Sequence, residues 1–293
     1  MQAGPSDAAP VPIRPAATVL ICRDSAAGPE ILMIERHALS DVHGGSFVFP
    51  GGKVDPADAR LDFDAHLDQA PDRLHAPLCE EDIDATTAAA IHIAGLREVF
   101  EECGLLFAHG LDGEGLRQAA ALAADGIGFN DMLVRLGLRL DTRALKPWSR
   151  WVTPLLALSS PGKRFDTRFF IAKAPAGQDA HHDAHEAVHS AWLQPRAALE
   201  SYWRGEIVLA APQIMSLAHL GRYGNVDAML AEADSRPPCV VRPYNFEIDG
   251  TRATAYPGDE RHPERSRVMP GPLRLVLRGK RLEPPDGFDE LWR

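Results

Sequence analysis

Three glutamates at helical spacing, Glu98, Glu101 and Glu102, are the residues of this sequence best placed to do chemistry. On a helix advancing roughly 100° per residue they fall within one wedge of about 100°. Ile93, Leu96, Val99, Phe100 and Cys103 fall on the other side, which gives an apolar face for packing on a sheet. Only the small Ala94 and Gly95 stand between the acids, and Gly104 follows as a helix stop. Like charges at this spacing destabilise an isolated helix by roughly 0.2–0.5 kcal/mol per pair. A positive charge is needed to offset that repulsion. Arg97, at the edge of the wedge, can pair with Glu101. A hard divalent cation would do more, because carboxylate oxygens are what magnesium and manganese prefer. The plainer reading is a solvated acidic face with one salt bridge.

Composition narrows the classes. The chain has 293 residues, 45% hydrophobic and 25% charged, enough for a substantial core in one large domain or one domain with an appendage. A net charge of −10 argues against a general nucleic-acid binder. It leaves a phosphate-bearing substrate open, since a bound cation reverses the local field. Cys22, Cys79, Cys103 and Cys239 lie far apart with no Cys-x-x-Cys pair, so a zinc ribbon is not expected, and Cys103 reads as core. Residues 1–15 are rich in alanine and proline without an apolar run, so they read as a loose tail rather than a signal peptide. No 18-residue apolar stretch suggests a membrane span, and the expected compartment is the cytoplasm.

The elements that must position the acids follow from patterning. Strands are expected at 17–22, 30–35 and 46–49, the last running into Pro50-Gly51-Gly52, where two glycines let the backbone turn sharply and expose carbonyls. Asp58–Thr87 holds nine acidic residues and two prolines. It reads either as short helices over the site or as a passive surface loop, and replacing 62–82 with a short linker is expected to alter kinetics more than melting temperature. Thr86 or Thr87 can cap the helix that carries the acids. Later strands are expected at 105–109, 151–154, 165–172 and 191–193, and helices at 116–124, 129–136, 211–220 and 226–233. Beyond Arg236-Pro237-Pro238 the chain alternates, with strands at 240–248, 251–256, 273–277 and 281–283 and hairpin turns at Asp249-Gly250 and Gly279-Lys280. His181, His185 and His189 recur every four residues, a spacing that can bind zinc, but 179–186 reads as a loop and no dedicated zinc site is expected there.

Arg97-Glu98-Val99-Phe100-Glu101-Glu102-Cys103-Gly104-Leu105 resembles, position by position, the second half of the Nudix box. Gly51-Gly52-Lys53-Val54-Asp55-Pro56-Ala57-Asp58 resembles its first half, with Asp58 where the family has glutamate. The family separates that acid from the arginine by seven residues; here residues 59–96 intervene. The chain is thus similar to a subset of Nudix hydrolases, including peroxisomal coenzyme A diphosphatases, whose box is split by an insertion. Leu32-Met33-Ile34-Glu35-Arg36-His37, then Asp41, Gly45 and Phe49-Pro50-Gly51-Gly52, has the spacing of the motif found before the box in coenzyme A-cleaving members. Asp41 replaces an arginine of that motif. Glu186, Trp192 and Pro195 match a further family pattern of glutamate, strand and Pro-started helix.

The resemblance implies an α/β fold, a Nudix α/β/α sandwich with a mixed sheet over residues 16–234 and the insertion at 59–87. Residues 235–293 lie outside the resemblance; their alternation reads as a C-terminal β-rich extension, placed on the core or at a homodimer interface. It implies metal-dependent cleavage of a diphosphate in a nucleoside diphosphate derivative. Magnesium or manganese would sit on Glu98, Glu101, Glu102 and the Gly51 carbonyl. Glu98 or Glu186 would act as base, Arg97 would orient Glu101, and Asp58 would support the site. Arg36, Phe49 and Gly52 would line the substrate. Coenzyme A or its acyl esters lead the substrates, ahead of ADP-sugars, dinucleotides and NADH. The partner is then a small phosphorylated molecule, with neither nucleic acid nor membrane. The competing readings are a non-catalytic nucleotide-sensing module that reports through the tail, against which the intact acids argue, and a zinc hydrolase built on the histidines.

Overall fold

The computed structural model describes residues 12–36, 45–154, 163–180 and 187–293. Its centre is β1 (Ile13–Ser25). Alternate residues of this strand enter different cores: Ala17, Val19 and Ile21 one, Leu20 and Cys22 the other. β2 (Gly28–Arg36) and β3 (Phe47–Val48) follow, then β4 (Gly51–Lys53). The insertion carries α1 (Phe63–His66) and α2 (Pro71–His75), and α3 (Ala85–Cys103) bears the acids. Next come β5 (Ala108–His109), α4 (Gly113–Ala124), α5 (Phe129–Leu136) and β6 (Arg139–Leu140). β7 (Lys146–Val152), β8 (Arg164–Lys173) and β9 (Ala187–Leu193) return to the sheet. α6 (Pro195–Arg204), α7 (Ala211–Leu220) and α8 (Val226–Ser235) pack on its other face. The chain ends with β10 (Cys239–Val241), β11 (Tyr244–Ile248), β12 (Thr251–Ala255), β13 (Arg274–Arg278) and β14 (Arg281–Glu283).

The main sheet runs β10-β7-β8-β1-β2-β3, with β4 added to β1 and β9 to β2. β1 is parallel to β8 from Ile13↔Arg164 to Cys22↔Lys173, so the strand begins inside the expected tail. On its other edge β1 pairs with β2 only through Cys22–Ser25, and Ala16–Thr18 pair instead with β4. That division brings Gly51 and Gly52 against the middle of the sheet. α3 packs on β1 and β4, and Gly95 allows the close approach: a Cβ there would lie 3.3 Å from Val19 Cγ2. The helix is capped by Asp84, whose carboxylate accepts from Thr87 N at 2.7 Å, and not by Thr86 or Thr87, which lie inside the first turn. Gly104, at φ 68°, closes it in the left-handed conformation. The strand expected at 105–109 is reduced to β5, paired with β6. Among the described residues no helix is long and apolar enough to cross a membrane.

The insertion is short helices, not a passive loop. Leu61, Leu67, Leu74 and Leu78 are buried in the core under α3. His66 Nδ1 lies 2.8 Å from Leu138 O, and Arg139 donates to Leu67 O at 2.7 Å. Replacing 62–82 therefore also removes core, so a loss of stability is expected beside any change in kinetics. The far end of the insertion is tied to the sheet by Glu80, 7% exposed. Arg150 and Arg168 face each other across β7 and β8, and both reach it: Arg168 Nε donates at 3.0 Å and Arg150 Nη1 lies at 2.8 Å. Asp166 completes the cluster, 2.7 Å from Arg150 Nη2 and 3.2 Å from Arg168 Nη1.

The C-terminal extension divides. β10 lies parallel to β7 in the main sheet, so the stretch 240–248 is two strands and the boundary at 235 is crossed. The other four form an antiparallel sheet. Tyr256, Met269, Leu275 and Leu291 join the core under α7, which places this sheet on the core. Tyr202 OH donates to Leu282 O at 2.9 Å and accepts from Leu282 N at 2.8 Å.

Glu80→Ala leaves the buried Arg168 and the part-buried Arg150 sharing Asp166, with the exposed Asp82 3.5 Å from Arg150 as the other acid. It is expected to cost on the order of 3 kcal/mol in urea unfolding. A loss below about 0.5 kcal/mol, the range of ordinary surface substitutions, would contradict the anchoring role.

Candidate active site

Arg97 is the hub at which the two halves of the acidic motif meet. A guanidinium has five N–H donors, and here all five are used. Nε donates to Asp58 Oδ1 at 2.9 Å and Nη2 to Asp58 Oδ2 at 3.2 Å. Nη1 donates to Glu98 Oε1 at 2.8 Å and to Glu101 Oε2 at 2.9 Å. Nη2 also donates to the carbonyl of Lys53 at 3.1 Å. Burial opposes the charge of Arg97, but its hydrogen bond to Asp58 and the charges of Glu98, Asp58 and Glu101 outweigh that and hold it above its ordinary range. With no donor left over, Arg97 positions its neighbours rather than touching a substrate.

Asp58 is fully buried, and its short side chain suffices because the guanidinium fork comes to it. A local turn presents it: Asp58 N donates to Asp55 O at 2.9 Å, and Asp55 N donates back to Asp58 Oδ2 at 2.7 Å. Glu102, 4% exposed, accepts from Gly51 N at 2.8 Å. Glu98 lies over Gly52, where a Cβ would come within 2.4 Å of its Oε1. Gly51, at φ 152°, lies so close to β1 that a Cβ would be 2.4 Å from Ala17 O. The three acids thus grade outward, from buried Glu102 through Glu98, 14% exposed, to Glu101, 46% exposed.

These residues suit a hard divalent cation: the donors are oxygens alone, and side chains are absent where Glu98 and Glu102 meet the glycines. One arginine also leaves the four carboxylates with net negative charge. A second group, Asp68, His109 and Asp141, has ligating atoms within 4.8 Å of one another where the insertion meets β5 and β6. Asp68 is already engaged there, accepting from Thr142 N at 2.9 Å, from Thr142 Oγ1 and from His109 Nε2 at 3.3 Å.

Other expected site residues fare differently. Phe49 is 3% exposed and packs in the core under α7. Arg36 ends β2, its N donating to Ser46 O at 3.0 Å, and its buried Nε has no partner among the described residues. Glu186, Asp41, His181 and His185 lie outside the described residues, while His189 is exposed in β9. Lys53, whose carbonyl fixes Arg97, escaped the sequence reading, since no side-chain type marks a backbone acceptor.

Arg97→Lys replaces the five-donor fork with a three-donor ammonium. It is expected to lower turnover roughly 10–100-fold, as loss of groups that orient metal ligands does, and to cost about 1–3 kcal/mol for the carboxylate left underserved. Steady-state kinetics and urea unfolding read both; full activity would contradict the hub.

Residues 6–220 match the NUDT19 Nudix domain family. The chain is similar to the acyl-coenzyme A diphosphatase NUDT19 of Gallus gallus, 28% identical over 277 residues, which cover 80% of this chain and 73% of that protein. It is similar to the Homo sapiens protein of the same name, 28% identical over 237 residues, covering 69% of this chain and 63% of that one, just under two thirds of its length. Among solved structures it resembles a Nudix hydrolase from Alicyclobacillus acidocaldarius, with a TM-score of 0.61, 29% identity, and coverage of 76% of this chain and 97% of the other. With the family matched across both halves of the acidic motif and the intervening insertion, this chain belongs to the NUDT19 Nudix domain family.

Proposed function

We propose that this Nudix hydrolase cleaves the diphosphate of coenzyme A or its acyl esters with magnesium or manganese. The observation that carries the reading is the Arg97–Asp58 pair, which joins the two box halves across 39 positions of chain and leaves the acids assembled. Two further points support the substrate. The relatives from Gallus gallus and Homo sapiens are named acyl-coenzyme A diphosphatases. The segment from Leu32 to Gly52 carries the spacing of the coenzyme A motif, and in it Arg36 has a buried Nε–H without a partner among the described residues, as an anion-binding arginine would.

Nudix hydrolases use divalent metals. Glu98, Glu101, Glu102 and the Gly51 carbonyl are the groups that would hold one. Such a cation, when bound, neutralises the phosphates and lowers the pKa of water. The remaining work falls to this chain's residues. Arg97 holds the Glu98 carboxylate at 2.8 Å, so its position is set before substrate arrives. Glu98, or Glu186, accepts the proton of the attacking water. The new P–O bond forms as the bridging P–O bond breaks, and each product leaves with a terminal phosphate. Glu101 contributes charge from the open side of the wedge.

Incubation with coenzyme A and magnesium is expected to release 3′,5′-ADP and 4′-phosphopantetheine. EDTA should stop the reaction, and manganese or magnesium should restore it. Glu101→Gln should abolish turnover and leave melting temperature unchanged, because that side chain is exposed. Brisk cleavage of ADP-sugars, dinucleotides or NADH without coenzyme A cleavage would remove the substrate and keep the reaction class. Absence of turnover on the whole panel would favour a nucleotide-sensing module.

A further inference from the structure

A cleft of about 430 Å³ opens between α7, α8, β10 and the C-terminal extension, and its lining includes His219, Arg222, Glu232, Arg236, Arg267 and Arg293. It belongs to the α7 side of the sheet, whereas the acids lie on α3 against the other face. In a chain with net charge −10, four arginine side chains against the Glu232 carboxylate and the α-carboxylate of Arg293 leave a local surplus of positive charge.

The cations are oriented but poorly neutralised. Arg222 Nη2 donates to Arg293 O at 2.7 Å and to Leu291 O at 3.4 Å. Arg267 Nε donates to Met269 O at 2.9 Å, and its Nη2 donates to Gly271 O. Among the described residues Arg267 pairs with no carboxylate, and Arg222 meets only the α-carboxylate oxygen of Arg293. Arg236 takes the one acid of the cleft, Glu232, at 2.8 Å, and lies over the Trp148 ring at 4.7 Å. Arg293 comes no nearer than 3.7 Å to Asp286. Burial first, and the neighbouring Arg267 second, pull the pKa of Arg222 below its ordinary range.

The wall of the cleft is also short of partners. His219 is 3% exposed, and its Nδ1 has no hydrogen-bond partner. Arg236 Nη2 is likewise buried and unpartnered. Burial, then Arg236 and Arg222, push the His219 pKa down to about 3, so this ring is a neutral group set among cations. A buried polar atom left unpaired costs about 1–3 kcal/mol, which marks a wall that a polar ligand could complete.

We propose that this cleft is a second anion site, which binds a small molecule through a phosphate group. Planar guanidinium forks match phosphate oxygens in pairs, and backbone oxygens already hold two of them in place. A surplus of cations suits a dianion, and the volume lies in the range of small-ligand pockets. The site stands apart from the diphosphate-cleaving centre and does not depend on the reading of that centre.

The test is calorimetric titration of inorganic phosphate into the full chain with EDTA present, so that no metal holds phosphate at the acids. Saturable binding at one site per chain is expected. Arg222→Gln combined with Arg267→Gln should weaken it at least about tenfold, the effect of roughly 1.4 kcal/mol, without lowering the melting temperature of the unliganded protein. Glu232→Gln should tighten it. A control substitution at the exposed Arg117 should change nothing. In a parallel arm, vesicles of phosphatidylcholine with phosphatidylserine should not bind. Absence of saturable phosphate binding, equal affinity in the double variant, or binding to vesicles alone would overturn the proposal.

Discussion

Three carboxylates within one wedge of a helix and a fourth brought from elsewhere cannot be assembled without a cation to hold them, and Arg97 is that cation. Its five donors end on Asp58, Glu98, Glu101 and the Lys53 carbonyl, so one planar group sets the relative positions of two chain segments. It neutralises only part of the charge it gathers. The remainder is an electrostatic demand that a divalent ion answers, which is why the arrangement suits metal chemistry.

Joining Asp58 to Arg97 closes a loop that the insertion lengthens by about 31 residues, and closure entropy for that lengthening is on the order of 1 kcal/mol. The burial of Leu61, Leu67, Leu74 and Leu78 outweighs this, at roughly 1.5–3 kcal/mol for each leucine before ordering costs. The insertion is therefore held by its own core at its middle, by Asp58 at one end and by Glu80 at the other. The glycines face a stricter constraint. Gly51 must approach β1 and Gly52 must clear Glu98, so the turn that leads into the site has no room for side chains at either position.

Much of this was legible in the residues. The 3.6-residue spacing of acids and apolar side chains marked α3, and the glycines and Asp58 marked the other half of the site. The features that were not legible depend on contacts distant in sequence. The capping position belongs to Asp84 because helix start depends on backbone geometry, and two threonines within the first turn carry the same chemical signal. The burial of Phe49 depends on the residues of the α7 side that pack on it, which are distant in sequence. Nothing local pairs Glu80 with Arg150 and Arg168; their meeting follows from the register of β7 and β8. β10 was read as part of the extension because a strand's partner is not encoded in its own three residues.

The central claim is that the acids held by Arg97 form the metal centre. It is tested most directly by the anomalous difference map of a crystal soaked in manganese. A peak is expected that is bounded by Glu98, Glu101, Glu102 and the Gly51 backbone and is lost in the Arg97→Lys protein. A peak at Asp68, His109 and Asp141, with none at the glutamates of α3, would contradict it.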